Sequence, residues 1–212
     1  MALRNIISLI CNLAVFVLTF LSLAEFFLRG GKANMQVKDT RCFEYFTVDS
    51  NVLAATAAAI MLVFNVIALI SGVYEMPYWV MVLKFVGTCA VALTFFVVML
   101  MLAPYAGYRY MLEGCSLYMH LINPVAAMLS FMFADFGGRL GPMSLVYALI
   151  PVVIYGAVYF IMVVGIGKEK GGWEDFYGFN KGGRWYVSAP LVLGMSFVIA
   201  FLIRLVHNLA AA

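Results

Sequence analysis

The chain has 212 residues, 66% of them hydrophobic and 11% charged, with a formal net charge of +3. Soluble domains carry roughly one-quarter charged residues, so this balance excludes an ordinary soluble enzyme or binding module and indicates an integral membrane protein. Six stretches lack Asp, Glu, Lys and Arg altogether: 5–24, 51–74, 85–108, 114–134, 140–167 and 185–203. Each is near the ~20 residues that an α-helix needs to cross a bilayer core.

The expected fold is all-α: a polytopic membrane protein with one bundle of six transmembrane helices and short loops. The predicted spans are about 5–28, 51–73, 80–103, 115–135, 143–166 and 187–207. A β-barrel would alternate apolar and polar residues, which these runs do not.

The first span begins close to Met1, is too long for a signal-peptide core and precedes no small-residue cleavage site, so it is expected to stay in the protein. The first loop, from Arg29 to Glu44, opens with Gly30 and Gly31 and returns to the membrane through Phe43, Tyr45 and Phe46, aromatic residues expected at an interface. Directly behind them comes Thr47-Val48-Asp49-Ser50-Asn51. On a helix, Thr47, Ser50 and Asn51 share a face by i, i+3, i+4 spacing while Asp49 points elsewhere. One reading of the group is helix capping, with Thr47 or Ser50 as N-cap and Asp49 at the positive end of the helix dipole. Capping accounts for Asp49 but leaves the Asn51 amide in need of a partner.

Glu75-Met76-Pro77 joins the second and third spans tightly, since Pro77 cannot continue a helix without losing a hydrogen bond. The third loop carries Pro104, Tyr105, Tyr108, Arg109, Tyr110 and Glu113, and the fourth span opens with Tyr118-Met119-His120-Leu121-Ile122-Asn123-Pro124. A titratable His120 within a charge-free stretch is costly and suggests function, and Asn123 and Pro124 share its face. The alternative is a neutral imidazole bonded to a neighbouring helix. Pro124 and Pro151 should kink their spans and free backbone carbonyls. Gly137, Gly138, Gly141 and Pro142 mark the fourth loop.

The fifth loop, Lys168 to Tyr186, is the most polar part of the chain. Its glycines lack the Gly-x-x-x-x-Gly-Lys-Ser/Thr pattern of a phosphate cradle, and no strand precedes them, so no nucleotide is expected. Trp173, Phe176, Tyr177, Phe179 and Trp185 read as residues at headgroup depth. His207 reads as an interfacial tail residue.

Six spans leave both termini on one side, with Arg4, Lys84, Arg139 and Arg204. The other side holds Arg29, Lys32, Lys38, Arg41, Arg109, Lys168, Lys170, Lys181 and Arg184. The positive-inside rule therefore places the odd-numbered loops in the cytoplasm, by nine basic residues to four. Cys11 and Cys89 read as small core residues. Cys42 and Cys115 share one side and would be free thiols there, or a plausible bridge if that side were extracellular. Four scattered cysteines make no metal signature.

The span count puts Thr47 and His120 near the same membrane face. A threonine hydroxyl becomes nucleophilic only when a base takes its proton, and histidine, with an ordinary pKa of about 6.5, suits that task. Asn123, Asn51 or Asp49 could orient the imidazole or stabilise an oxyanion.

The stretch Tyr45-Phe46-Thr47-Val48-Asp49-Ser50-Asn51, the histidine-asparagine-proline segment two spans later and the six short-looped helices resemble the androgen-induced and androgen-dependent TFPI-regulating protein family and its uncharacterised bacterial relatives. Among the bacterial relatives the resemblance extends to Gly171-Gly172-Trp173-Glu174-Asp175-Phe176-Tyr177-Gly178-Phe179. It implies an intramembrane threonine hydrolase of fatty acid esters of hydroxy fatty acids, with Thr47 as nucleophile and His120 as base. Asp49, where many relatives have a neutral glutamine, and the fifth-loop stretch depart from the animal pattern.

The expected function is thus a lipid acyl-ester hydrolase of a bacterial cell membrane, with Asp49, Ser50, Asn51 and Asn123 binding or orienting the substrate. Its partners would be a fatty acyl ester and membrane lipids, with no cofactor, metal or nucleic acid. The alternative is a non-enzymatic transporter or lipid-binding protein relying on Pro124, Pro151, Asn65 and Lys84. In a third reading the aromatic fifth loop docks another membrane protein.

Overall fold

The computed structural model describes residues 1–30 and 38–211; Gly31 and Lys32 of the first loop lie outside them. Six helices are long and apolar enough to cross a membrane: α1 (Ala2–Arg29), α2 (Phe46–Ser71), α3 (Tyr78–Ala106), α4 (Cys115–Ala134), α5 (Ser144–Ile166) and α6 (Trp185–Ala210). Among the described residues there is no strand, and the chain forms an all-helical, membrane-embedded bundle.

The outer surface carries the hydrocarbon-facing side chains, for example Ile6, Ile10, Phe20, Ile70, Leu100 and Ile154, each largely exposed. The interior carries much of the polarity. On α1 the buried residues are Asn5, Ser8, Asn12, Val15, Thr19, Ser22 and Phe26, spaced alternately three and four apart. That is one face of a helix, with its polar residues turned inward. The pattern suits a solvent that is itself apolar, where helices gain nothing by hiding leucine and associate through small and polar residues.

The most enclosed span is α3, which packs on α2, α4, α5 and α6. Close approach to α2 requires Gly87, since a Cβ there would lie 3.0 Å from the Ala54 Cα. A first core of Val15, Ala54, Ala58, Val91 and Ala127 fills the contact of α1, α2, α3 and α4 with small residues. A second, with Met81, Phe85, Leu93, Phe131, Leu140, Val152, Ile199 and Ile203, joins α3 to α5 and α6.

Two prolines lie beside irregular helix turns, whereas Pro151 lies inside the α-helical stretch Ser144–Phe160. Pro104 and Pro124 each follow a short π-helical segment, Val98–Leu102 and Tyr118–Ile122. Proline removes an amide donor, and a locally widened turn accommodates the loss.

Two polar residues and the start of one helix depart from the sequence reading. Lys84 is a buried residue of α3, only 1% exposed, not a cation of the even-numbered loops. His207 is no interfacial tail residue either. It is buried, stacks on Phe131 at 4.4 Å, and its Nδ1 lies 2.8 Å from the Phe131 carbonyl oxygen. The second helix begins at Phe46, not near Asn51, so the Thr47–Asn51 group belongs to its first turns.

Candidate functional site

The N-cap of α2 is Tyr45, in extended conformation, and no side chain caps this end. Capping is therefore not what Thr47 and Ser50 do. Thr47, Ser50 and Asn51 are all buried on the inner face, as their spacing predicts, whereas Asp49 is only half-buried. Asp49 borders an outer groove with Phe43, Ile154 and Trp173.

A hydrogen-bond chain runs inward from this turn. Asn51 Nδ2 donates to the Thr47 carbonyl at 2.7 Å and to the Met119 carbonyl at 3.1 Å. The Asn51 Oδ1 accepts from Asn123 Nδ2 at 2.9 Å, and the same Asn123 nitrogen donates to Thr19 Oγ1 at 3.0 Å. Ser50 Oγ donates to the Thr47 carbonyl at 3.1 Å and shares a 2.9 Å bond with Thr94 Oγ1. The partner that Asn51 needs is thus α4, and two asparagines tie α1, α2 and α4 together at one depth. A buried amide left unpaired in lipid would cost several kcal/mol, roughly, which is why both are fully engaged as donors.

Because one amide nitrogen bridges the Thr47 and Met119 carbonyls, Thr47 and His120 belong to facing turns of α2 and α4. Their side chains part from there. His120 is buried, and its Nδ1 lies 2.8 Å from the Met111 carbonyl oxygen in the short helix Tyr108–Met111. A carbonyl can only accept, so Nδ1 carries the proton and Nε2 is the unprotonated nitrogen. Thr47 instead lines a cavity of about 160 Å³ enclosed by α2, α3, α5, α6 and the fifth loop. Among the described residues no hydrogen bond joins Thr47 to His120 directly.

The cavity wall is mostly apolar, with Leu93, Val97, Val98, Val152 and Val192, and its rim includes the outward-facing Met101 and Leu191. Its polar end collects Thr47 with Tyr155, Tyr159 and Tyr177. The fifth loop supplies Tyr177, and with it Gly178 and Phe179. Tyr177 turns inward from this loop: its hydroxyl is fully buried. The oxygen lies against the Thr47 hydroxyl, the backbone N–H groups of Thr47 and Phe46, and the Tyr155 hydroxyl, but makes no hydrogen bond of full geometry. Burial pushes the Tyr177 phenol up to about 12, against the pull of those neighbouring donors, so it stays a neutral donor at any ordinary pH.

The loop is built to hold that position. Asp175 accepts from the backbone N–H of Phe179 at 2.8 Å and of Asn180 at 2.9 Å, and from the Tyr159 hydroxyl at 3.1 Å. Tyr155 donates to the Glu44 carbonyl at 2.7 Å, closing the cavity against the first loop. Phe176 stacks on Tyr45 at 4.4 Å. Gly172 is obligatory, since a Cβ there would overlap the Met162 carbonyl oxygen.

A second buried polar group lies at the opposite end of the bundle. Asp135 Oδ1 accepts from Ser8 Oγ at 2.5 Å, Ser130 Oγ at 2.6 Å and Asn12 Nδ2 at 3.2 Å. Lys84 Nζ donates to Asn12 Oδ1 at 2.5 Å and stands 4.0 Å from Asp135 Oδ2. Asn65 Nδ2 donates to Asn5 Oδ1 at 2.6 Å and to Ser8 Oγ at 3.0 Å.

Among the described residues no cluster of three His, Cys, Asp or Glu side chains could hold a metal ion, and none of the four cysteines forms a disulfide. Cys42 and Cys115 pack into one cluster with Phe26, Val48 and Met119. Sequence reasoning singled out Thr47, Ser50, Asn51, His120 and Asn123 but missed Tyr155, Tyr159, Tyr177 and Asp175. The available signal was an acidic residue followed by aromatics and glycine in a loop otherwise read as interfacial. No family model, curated protein or solved structure matches this chain.

Proposed function

We propose that the chain is a membrane-embedded hydrolase of lipid acyl esters, with Thr47 as nucleophile and His120 as general base. The observation that carries this reading is the Thr47 side chain on the wall of an apolar cavity whose rim faces hydrocarbon. An acyl chain can fill such a slot sideways from the bilayer, bringing its ester to the polar end. His120 supports the reading through its tautomer, since a base needs an unprotonated ring nitrogen and the Met111 contact assigns that role to Nε2.

In this mechanism Thr47 Oγ attacks the ester carbonyl carbon while its proton passes to His120. The imidazolium then protonates the departing alcohol, leaving an acyl-threonine. Water attacks that ester, gives a proton to His120 and releases the fatty acid, with the proton returning to Thr47 Oγ. No cofactor is consumed. Imidazole and hydroxyl close to hydrogen-bond or one-water distance when substrate enters, as catalytic contacts often tighten only in the complex. Asn51 and Asn123 position the two helices, Ser50 holds the Thr47 carbonyl, and Asp49 borders the groove that would receive the polar part of the lipid.

With Lys84 withdrawn into the bundle, the even side keeps Arg4, Arg139 and Arg204 as its basic residues, which favours the odd-numbered loops in the cytoplasm of a bacterial cell. The buried Lys84–Asp135 group is the observation that favours the alternative, a transporter or lipid-binding protein, because intramembrane charge commonly marks a transport path.

The test is direct. Purified protein should label with a long-chain fluorophosphonate and hydrolyse a long-chain acyl ester. Thr47→Ala and His120→Ala should each reduce the hydrolytic rate by at least ~100-fold. Variants that stay folded and keep the wild-type rate sink the mechanism, and a wild type that neither labels nor hydrolyses favours the transporter.

A further inference from the structure

Several groups converge at the start of α2 without satisfying one another. The Tyr177 hydroxyl is buried there without a hydrogen bond of full geometry. It meets the backbone N–H groups of Phe46 and Thr47, which belong to a first helical turn that no side chain caps. These amides form the positive end of a 26-residue helix, a place that favours an anionic oxygen. The Thr47 hydroxyl lies against the same phenol oxygen. A buried hydroxyl without a partner costs about 1–3 kcal/mol, so its retention beside a cavity needs a reason.

We propose that this point is the seat of the acyl carbonyl oxygen, with the Tyr177 O–H and the N–H groups of Phe46 and Thr47 as its donors, and that the ligand is a carbonyl amphiphile inserting a single acyl chain. The inference rests on the hydrolase reading for its catalytic part only, since a carbonyl can be bound without being cleaved. When Thr47 Oγ adds to the carbonyl carbon, the carbonyl π pair moves onto oxygen, and the resulting oxyanion is held by donors already in place. Tyr177 keeps its proton throughout.

The geometry supports each part. The cavity, about 160 Å³, compares with the roughly 150 Å³ site that accommodates one benzene ring. It admits the carbonyl and the first carbons of one chain, the rest extending past Met101 and Leu191 into the bilayer. A second chain has no room. Asp175, holding the backbone on the far side of Tyr177, keeps the donor fixed before the ligand arrives.

The experiment uses Tyr177→Phe, which deletes one oxygen and leaves the ring. Its thermal stability should stay within about 1 kcal/mol of the wild type, because the lost hydroxyl makes no hydrogen bond of full geometry in the folded protein. With a long-chain ester, kcat should fall ~100-fold while KM changes by less than about threefold, the signature of a contact made in the transition state. Binding is measured separately with N-methyldodecanamide carrying a ¹³C-labelled carbonyl, in detergent micelles. The wild type should move the carbonyl resonance downfield and Tyr177→Phe should reduce that shift. If Tyr177→Phe keeps the wild-type kcat, or leaves the amide carbonyl shift unchanged, the proposal is overturned. It also falls if the wild type shows no shift. A wild type that shifts the amide but hydrolyses nothing overturns the hydrolase reading alone and leaves the carbonyl seat standing.

Discussion

Tyr177 shows how far a single residue can depart from its composition class. Its ring is partly exposed while its hydroxyl is enclosed, and the phenol is pushed from 10.0 up to about 12 by burial. The sign of the pH dependence follows. Below pH 10 both folded and unfolded chains keep the proton, and stability is unaffected by this group. Between about 10 and 12 the unfolded chain releases it while the folded chain does not, so stability falls as pH rises. Thermal unfolding in detergent should therefore show the wild type losing stability relative to Tyr177→Phe between about pH 10 and 12. Parallel curves would mean that the hydroxyl is hydrated. The Thr47, Ser50 and Asn51 face was legible from i, i+3, i+4 spacing, because burial on a helix is periodic. The Tyr177 position was not, since an aromatic loop residue at an interface and one folded back over a helix end have the same local sequence. His207 escaped for a similar reason: nearness to the end of a span says nothing about the carbonyls that a neighbouring turn offers it.

At the scale of elements, α1 and α4 carry the clearest inversion of soluble-protein logic. The alternating spacing of Asn5, Ser8, Asn12, Thr19 and Ser22 is a helical stripe as regular as any apolar one, yet it is polar and faces inward. At one end it meets Asn65, Lys84, Ser130 and Asp135, and further along it meets Asn123 through Thr19. Lys84 and Asp135 illustrate the energetics of this arrangement. Removing one partner leaves an uncompensated charge in the bundle, so Lys84→Met should destabilise the protein by about 3 kcal/mol or more, while Lys84→Met with Asp135→Leu should recover part of that loss. The check is a chemical or thermal unfolding comparison in detergent of the single and double variants; a double variant worse than the single would show that the carboxylate also has structural work without the lysine. The sequence placed Lys84 at the start of a span, where such a residue commonly reaches back to the headgroups. What it did not contain was the Asn12 side-chain Oδ1 on another helix that draws it inward.

For the molecule as a whole, six spans were legible from charge-free length alone, because the bilayer sets the length of any helix that crosses it. Arrangement was less accessible. Nothing local marks α3 as the central helix, and Gly87 acquires meaning only when α2 lies against it. The two polar groups occupy opposite ends of the bundle, and α1 and α4 contribute to both. The inward stripe of α1 also bears on how the chain is assembled. As α1 enters the bilayer its asparagines precede the interhelical partners they will later have, and only Ser8 of the same helix is available to Asn12, so it crosses lipid at first with much of its amide capacity unmet. It becomes fully at home only when α2, α3 and α4 arrive. Such a helix should behave as a separable recognition module: α1 produced as one polypeptide and residues from Asp39 onward as another should associate in the membrane and co-purify. Replacing Asn12 and Ser8 with leucine should abolish that reassociation even though it makes α1 more hydrophobic. Complementation unaffected by those leucines would mean that shape alone, and not the polar stripe, guides the first helix to its place.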